Sequence, residues 1–225
     1  MHHLQRLFSE NDRQAVNQAV HAAESGTSAE IVPVVAASSG RYDRPEDVVG
    51  LWTGLLTLSI VWVMYPAADS GSGSWGGPHP AWQLVAFIVA TVLGFLAGAI
   101  LGSKIDWLRR LFTPRRQMQE EVFSRARAVF YDHRVHHTQG ASGVLLYISL
   151  FERMAAIIAD ESVLKHLGQE QINTLCAQFT MRLRAGKPTS ALCETIRSVS
   201  EQLSPVMPRA NDDVNELPDA LLLID

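Results

Sequence analysis

The chain has 225 residues, a formal net charge of -4 and an apolar fraction of 47%. That balance argues against a basic nucleic-acid-binding protein, so no nucleic-acid partner is expected, and the apolar content exceeds that of a disordered chain. Two cysteines, Cys176 and Cys193, are too few for a disulfide framework and read as reduced, packed thiols.

The first twelve residues, Met1 to Asp12, lack the apolar core and small-residue site of a cleavable signal peptide. Ser9 is placed to cap a helix from Glu10 to Ser25, with Asp12 at the third helical position and Gly26 after the end. Glu30 to Ala37 (EIVPVVAA) reads as a short buried strand. Pro33 has no N–H to donate, so an edge or bulge position is expected for it.

Two uncharged runs follow, Val48 to Ala68 and Ala81 to Gly102. A helix crossing the hydrocarbon core needs about 20 apolar residues, and neither run shows the polar stripe of a soluble core helix. A membrane hairpin is therefore predicted, with the lipid bilayer as its surroundings. Arg41 and Arg44 precede it, and Lys104, Arg109, Arg110, Arg115 and Arg116 follow it. The linker Asp69 to Pro80 has no Lys or Arg, so the positive-inside rule places both termini in the cytoplasm. Gly94, Gly98 and Gly102 repeat every fourth residue. Such a face lets helices approach closely, either within the hairpin or between subunits of a homo-oligomer.

After the hairpin, Pro114 can open a helix running to about His133. Gly143 to Leu150 and Arg153 to Ala159 read as two strands joined by a tight turn at residues 150–152. Helices are expected from Gln169 to Ala185, closed by Gly186, and from Thr189 to Leu203, opened by Pro188. The apolar end of the tail Asp212 to Asp225 suggests a last strand. Together these predict an α/β (α+β) sandwich, a central β-sheet covered by helices. Residues 1–47 would supply its first helix and strand, 48–103 the hairpin inserted after that strand, and 104–225 the remainder.

Three segments, Ala23–Val35 (AESGTSAEIVPVV), Thr138–Asp160 (TQGASGVLLYISLFERMAAIIAD) and Asn215–Asp219 (NELPD), resemble the TPM domain family, also called the TPM phosphatase domain. The match spans most of the chain outside the apolar runs and is most similar to membrane-anchored bacterial forms. Ala29 departs from the usual Gly, and Glu161-Ser162 stands where a Gly is common. The resemblance implies an α/β sandwich, a bacterial inner-membrane location, and one of several roles: acid phosphatase, divalent metal binding, or assembly of membrane complexes.

Two sets of residues carry candidate chemistry. Glu30, Asp160 and Glu161, if they converge at one sheet end, offer oxygen ligands for Ca²⁺ or Mg²⁺. A structural or ligand pair of Glu152 and Arg153 lies beside the hairpin turn. His133 and His137 stand four residues apart, the spacing of a zinc pair on one helix face. The alternatives are an Asp160 helix cap and solvated histidines at a helix end. No P-loop or nucleophile-elbow motif occurs. The leading expectation is a membrane-tethered interaction or assembly module with a membrane-protein partner. The rival is a metal-dependent, phosphatase-like hydrolase.

Overall fold

A computed structural model describes residues 7–40, 44–64, 80–105, 110–111, 113–209 and 215–224. The chain divides into two compact units: residues 1–40 with 115–225, and residues 41–114.

In the first unit, α1 (Glu10–Glu24) starts at Ser9, whose hydroxyl accepts from the Asp12 N–H while the Asp12 carboxylate accepts from the Ser9 N–H. This reciprocal box satisfies two N–H groups that a helix start leaves orphaned. β1 (Glu30–Ala36) follows. After the second unit come α4 (Arg115–Asp132), β2 (Gly143–Ser149) and β3 (Met154–Ala159). The chain closes with α5 (Glu161–Leu167), α6 (Gln169–Ala185), α7 (Pro188–Leu203) and β4 (Leu222–Ile224). The helix limits expected for α6 and α7 hold to within one residue, because Gly and Pro set them by local backbone preference.

The sheet order is β3-β2-β1-β4, with β1 parallel to both β2 and β4 and β2 antiparallel to β3. Alternate side chains point to opposite faces. One face carries Ile31, Val35, Val144, Leu146, Ile148, Ala155 and Ile157 into a core with α1, α5, α6 and α7. The other carries Val32, Val34, Leu145 and Tyr147, and α4 packs over β2 and β3 with Met118, Val122, Ala126 and Val129 buried. Each buried Val, Leu or Ile contributes about 1.5–3 kcal/mol.

Pro33 lies in β1, the strand between β2 and β4. Glu30 donates its N–H to Ser142 on the β2 side, while Ala37 donates to Ile224 on the β4 side. By alternation, Ile31 and Pro33 face the β4 side. There β4 begins to pair only at Val34, and Ile31 N–H goes to the Glu24 carboxylate instead. Pro33 thus sits on the stretch of β1 that, among the described residues, has no neighbouring strand on its β4 side, the edge-like position that its missing donor demands.

The second unit is a helical hairpin of α2 (Arg44–Met64) and α3 (Pro80–Lys104). Glu46–Met64 and Trp82–Lys104 are long and apolar enough to cross a membrane. Their large side chains are mostly exposed, among them Trp62, Val63, Leu84 and Leu93. Thr53 Oγ1 donates to the Gly94 carbonyl at 3.0 Å. A Cβ at Gly94 or Gly98 would collide with Thr57 or Thr53, and one at Gly102 would press on Glu46 and Val49. The small-residue face of α3 is therefore taken up inside the hairpin by α2. A homo-oligomer built through the same glycines would have to displace it. Tyr65 and the linker from Asp69 to His79, including Trp75, lie outside the described residues, as do Trp107 and Arg109.

Candidate functional site: the two ends of the sheet

Gly143 brings two carboxylates together. It pairs with Glu30 across the parallel ladder, and its carbonyl accepts the Asp160 N–H at 2.9 Å across the antiparallel one. Glu30 and Asp160 therefore share one sheet end. The strand alternation and the β2–β3 turn, both readable from sequence, bring them there.

Their surroundings differ. Asp160 is the N-cap of α5: Oδ1 accepts the Glu161 N–H at 2.8 Å, and Oδ2 is sealed from solvent with no hydrogen-bond partner among the described residues. Glu30 is buried and its Oε1 accepts the Glu216 N–H at 3.3 Å. Glu161 is exposed in the first turn of α5. It does not join the other two in a ligand set. Among the described residues no group of three or more His, Cys, Asp or Glu is placed to hold a metal ion.

The same end holds acidic residues that the sequence reading did not single out. Glu24, the last residue of α1, is 8% exposed, and its Oε1 accepts the Ile31 N–H at 2.8 Å. Burial pushes its carboxyl up to about 8, against the Ile31 N–H and with the help of nearby Glu30 and Asp219. A carboxyl raised in this way favours its protonated form. Asp219 faces His21 Nδ1 at 3.5 Å, and Glu216 accepts the Gln139 N–H at 3.1 Å. Glu24 and Asp219 both lie inside segments that carry the family resemblance. The signal was present, but nothing in linear order joins residues so far apart.

The opposite end of the sheet gathers hydroxyls around Glu152. This residue is 3% exposed in the β2–β3 turn and accepts from the Ser149 hydroxyl, from Ser39 N–H at 2.9 Å and from Ser38 Oγ at 3.4 Å. Ser39 Oγ also meets Tyr147 Oη at 2.9 Å. Burial raises the Tyr147 phenol above its ordinary value. Arg153 adopts a left-handed φ of 50°, its side chain is exposed, and its carbonyl accepts from Arg184 Nε. The Glu152 carboxylate is thus engaged by serines. Both turn residues stand a full strand away from Glu30 and Asp160, about 20 Å at 3.3 Å per residue.

His133 and His137 do not share a helix face. α4 ends at Asp132, and Arg134 turns left-handed at φ 54°. Spacing of four places two side chains on one face only while the helix continues. His133 lies past its end, and His136 packs instead beside Tyr131 with ring centroids 5.0 Å apart.

A four-stranded mixed sheet with helices on both faces, interrupted after its first strand by an apolar helical hairpin, defines an α/β sandwich of unusual connectivity. Among solved structures it is similar to the NMR structure of BA42 protein from the psychrophilic bacterium Bizionia argentinensis, at a TM-score of 0.57 and 15% sequence identity over 99% of each chain. That likeness is one of fold. No family model and no curated protein matches the sequence.

Proposed function

We propose that this chain is a membrane-tethered module whose sandwich domain binds and positions a membrane-protein partner, in the manner of a TPM-like assembly domain. One observation carries the reading. β1 and β2 pair in register along seven residues, yet the hairpin lies between them in sequence. Both ends of the hairpin therefore connect to strands of one sheet, which supports a reading in which both emerge on the same side of a bilayer. The positive-inside asymmetry makes that side the cytoplasm, in a bacterial inner membrane by the family resemblance.

Topology is tested by cysteine labelling in intact cells, with Cys176 and Cys193 replaced by Ala. A cysteine at Ser72 is expected to react with an impermeant maleimide, and one at Lys165 only after permeabilisation. The reverse pattern, or no labelling at Ser72, would overturn the placement. Partner binding is tested by co-purification from detergent extracts: a stoichiometric membrane protein is expected. Phosphate release by the purified chain with Mg²⁺ or Ca²⁺, lost in Asp160→Ala, would replace this reading with the hydrolase.

A further inference from the structure

β3 is the outer strand of the sheet, and α4 and α6 lie beside it on opposite faces. Between the two helices runs an open groove of about 640 Å³. Its walls are mostly apolar: Phe123 from α4, Met154 from β3, and Cys176, Ala177 and Met181 from α6. Phe123 and Met181 are exposed although large and apolar. From Asn173 to Arg184 the groove follows α6 for about 16 Å, at about 1.5 Å per residue.

Shape and backbone chemistry narrow the occupant. Spread along that length, the volume leaves a cross-section of about 40 Å², too slim for a helix about 10–12 Å across. An added strand would meet an occupied ladder at Ala155. The Ala155 N–H donates to Thr180 Oγ1 at 3.4 Å, and the Cys176 thiol donates to the Ala155 carbonyl at 3.3 Å, so α6 already closes this stretch of the β3 edge. A peptide backbone laid there would leave its own polar groups unmatched. A hydrocarbon chain makes no such demand. The chains of one leaflet, half of a bilayer core about 30 Å thick, match the groove in length.

One end of the groove is basic. Arg184 lines it and donates from Nε to the carbonyl of the exposed Arg153 at 3.3 Å. Just past its last turn, α4 meets Gly143 through Val135, at the carboxylate end of the sheet. Its first residues, the exposed Arg115 and Arg116, therefore stand at the Arg153 end. Glu120 and Glu121 on α4 offset these arginines only in part. The chain also leaves the sandwich for the apolar helical hairpin at this end: Ser38 and Ser39, which follow β1, bind Glu152, and α4 begins here. We propose that the groove between α4 and α6 holds one acyl chain of an anionic membrane phospholipid, with the phosphate held by Arg184, Arg153 and the arginines that open α4. A guanidinium matches a phosphate in charge and geometry, and each arginine near a membrane surface favours an anionic leaflet. The proposal rests on the membrane anchor of the proposed function and is independent of its protein partner.

The test is photocrosslinking of the full chain in phosphatidylcholine vesicles that contain phosphatidylglycerol. A diazirine is placed at the end of one phosphatidylglycerol acyl chain, and adducts are mapped by mass spectrometry. Labels are expected on residues 119–123 and 173–181 of the groove as well as on the apolar helical hairpin. Labels on that hairpin with none in the groove would overturn the proposal and leave the anchor standing; none in either would overturn both. With the same diazirine carried by phosphatidylcholine, hairpin labelling should be unchanged and groove labelling several-fold lower. Equal groove labelling from the two lipids would overturn recognition of an anionic headgroup. Ala177→Trp fills the groove from an exposed position on α6 and should abolish groove labels. Arg184→Gln should lower them about fivefold, the worth of one arginine near an anionic surface, with an unaltered melting curve. Undiminished groove labelling in either folded variant would overturn the proposal. Should Ala177→Trp fail to fold, Arg184→Gln supplies the reading.

Discussion

Both ends of the sheet bury a glutamate, and they bury it differently. At the serine end, Glu152 meets two hydroxyls and a backbone N–H, so its desolvation is matched by donors. At the carboxylate end, Glu24 meets one N–H and its second oxygen has no donor among the described residues, with Glu30 nearby. A buried carboxylate with enough donors fastens a structure, here the loop that leaves β1 toward the hairpin. One without them takes up a proton and becomes sensitive to pH.

Substitutions at each end probe that contrast. The largest effect is expected from Gly143→Ala, whose new Cβ would strike the Val135 carbonyl. The clash is with backbone and cannot be relieved by a rotamer change, so a loss of about 4 kcal/mol is expected in thermal or denaturant melts. It should disturb the carboxylate end and leave Ser39–Glu152 protection to report on the other.

Glu152→Ala strands buried donors on Ser39 and Ser149 and should cost about 3 kcal/mol, with its loss seen first in exchange of residues 37–40. A cost below about 1 kcal/mol would mean that water replaces the carboxylate easily, and would remove the contrast between the two ends.

Glu24→Gln should act through pH. The wild-type chain has Glu24 raised to about 8 when folded. Its favourable contribution is complete below the unfolded carboxylate value and disappears as pH climbs through the folded one. Glu24→Gln should therefore match the wild type near pH 4 and become steadily more stable than it as pH rises to 9. Equal melting curves at both pH values would contradict a raised Glu24 carboxyl.

Asp160→Ala is the smallest: loss of the α5 cap should cost about 1 kcal/mol, read as faster exchange in residues 161–167. A larger loss would show that its buried Oδ2 has a role beyond capping.

Much of the architecture was legible in linear order because it rests on local chemistry. Gly186 and Pro188 bounded α6 and α7, Ser9 with Asp12 set the start of α1, and Asp160 capped α5. The β2–β3 hairpin followed from two apolar runs and a short turn. The site was legible only in part. Strand pairing puts Glu30 and Asp160 at one sheet end, Glu161 is exposed on a helix face, and Glu152 and Arg153 stand in the hairpin turn where the sequence placed them. The end of α4 at Asp132, one residue from the limit read in sequence, favours the alternative of histidines at a helix end over a zinc pair of His133 and His137.

The sequence by itself determined two uncharged stretches of membrane-spanning length, the asymmetry of flanking charge, and the identity of most helices and strands. Each depends on residues close together in the chain, where periodicity, caps and breakers act. Only the tertiary structure decided that β1 lies between β2 and β4, that the glycine face of α3 is filled by α2, and that Glu24 is buried against the start of β1. Those outcomes depend on contacts between residues distant in sequence, and burial at such contacts, rather than residue type, sets the state of each carboxyl group.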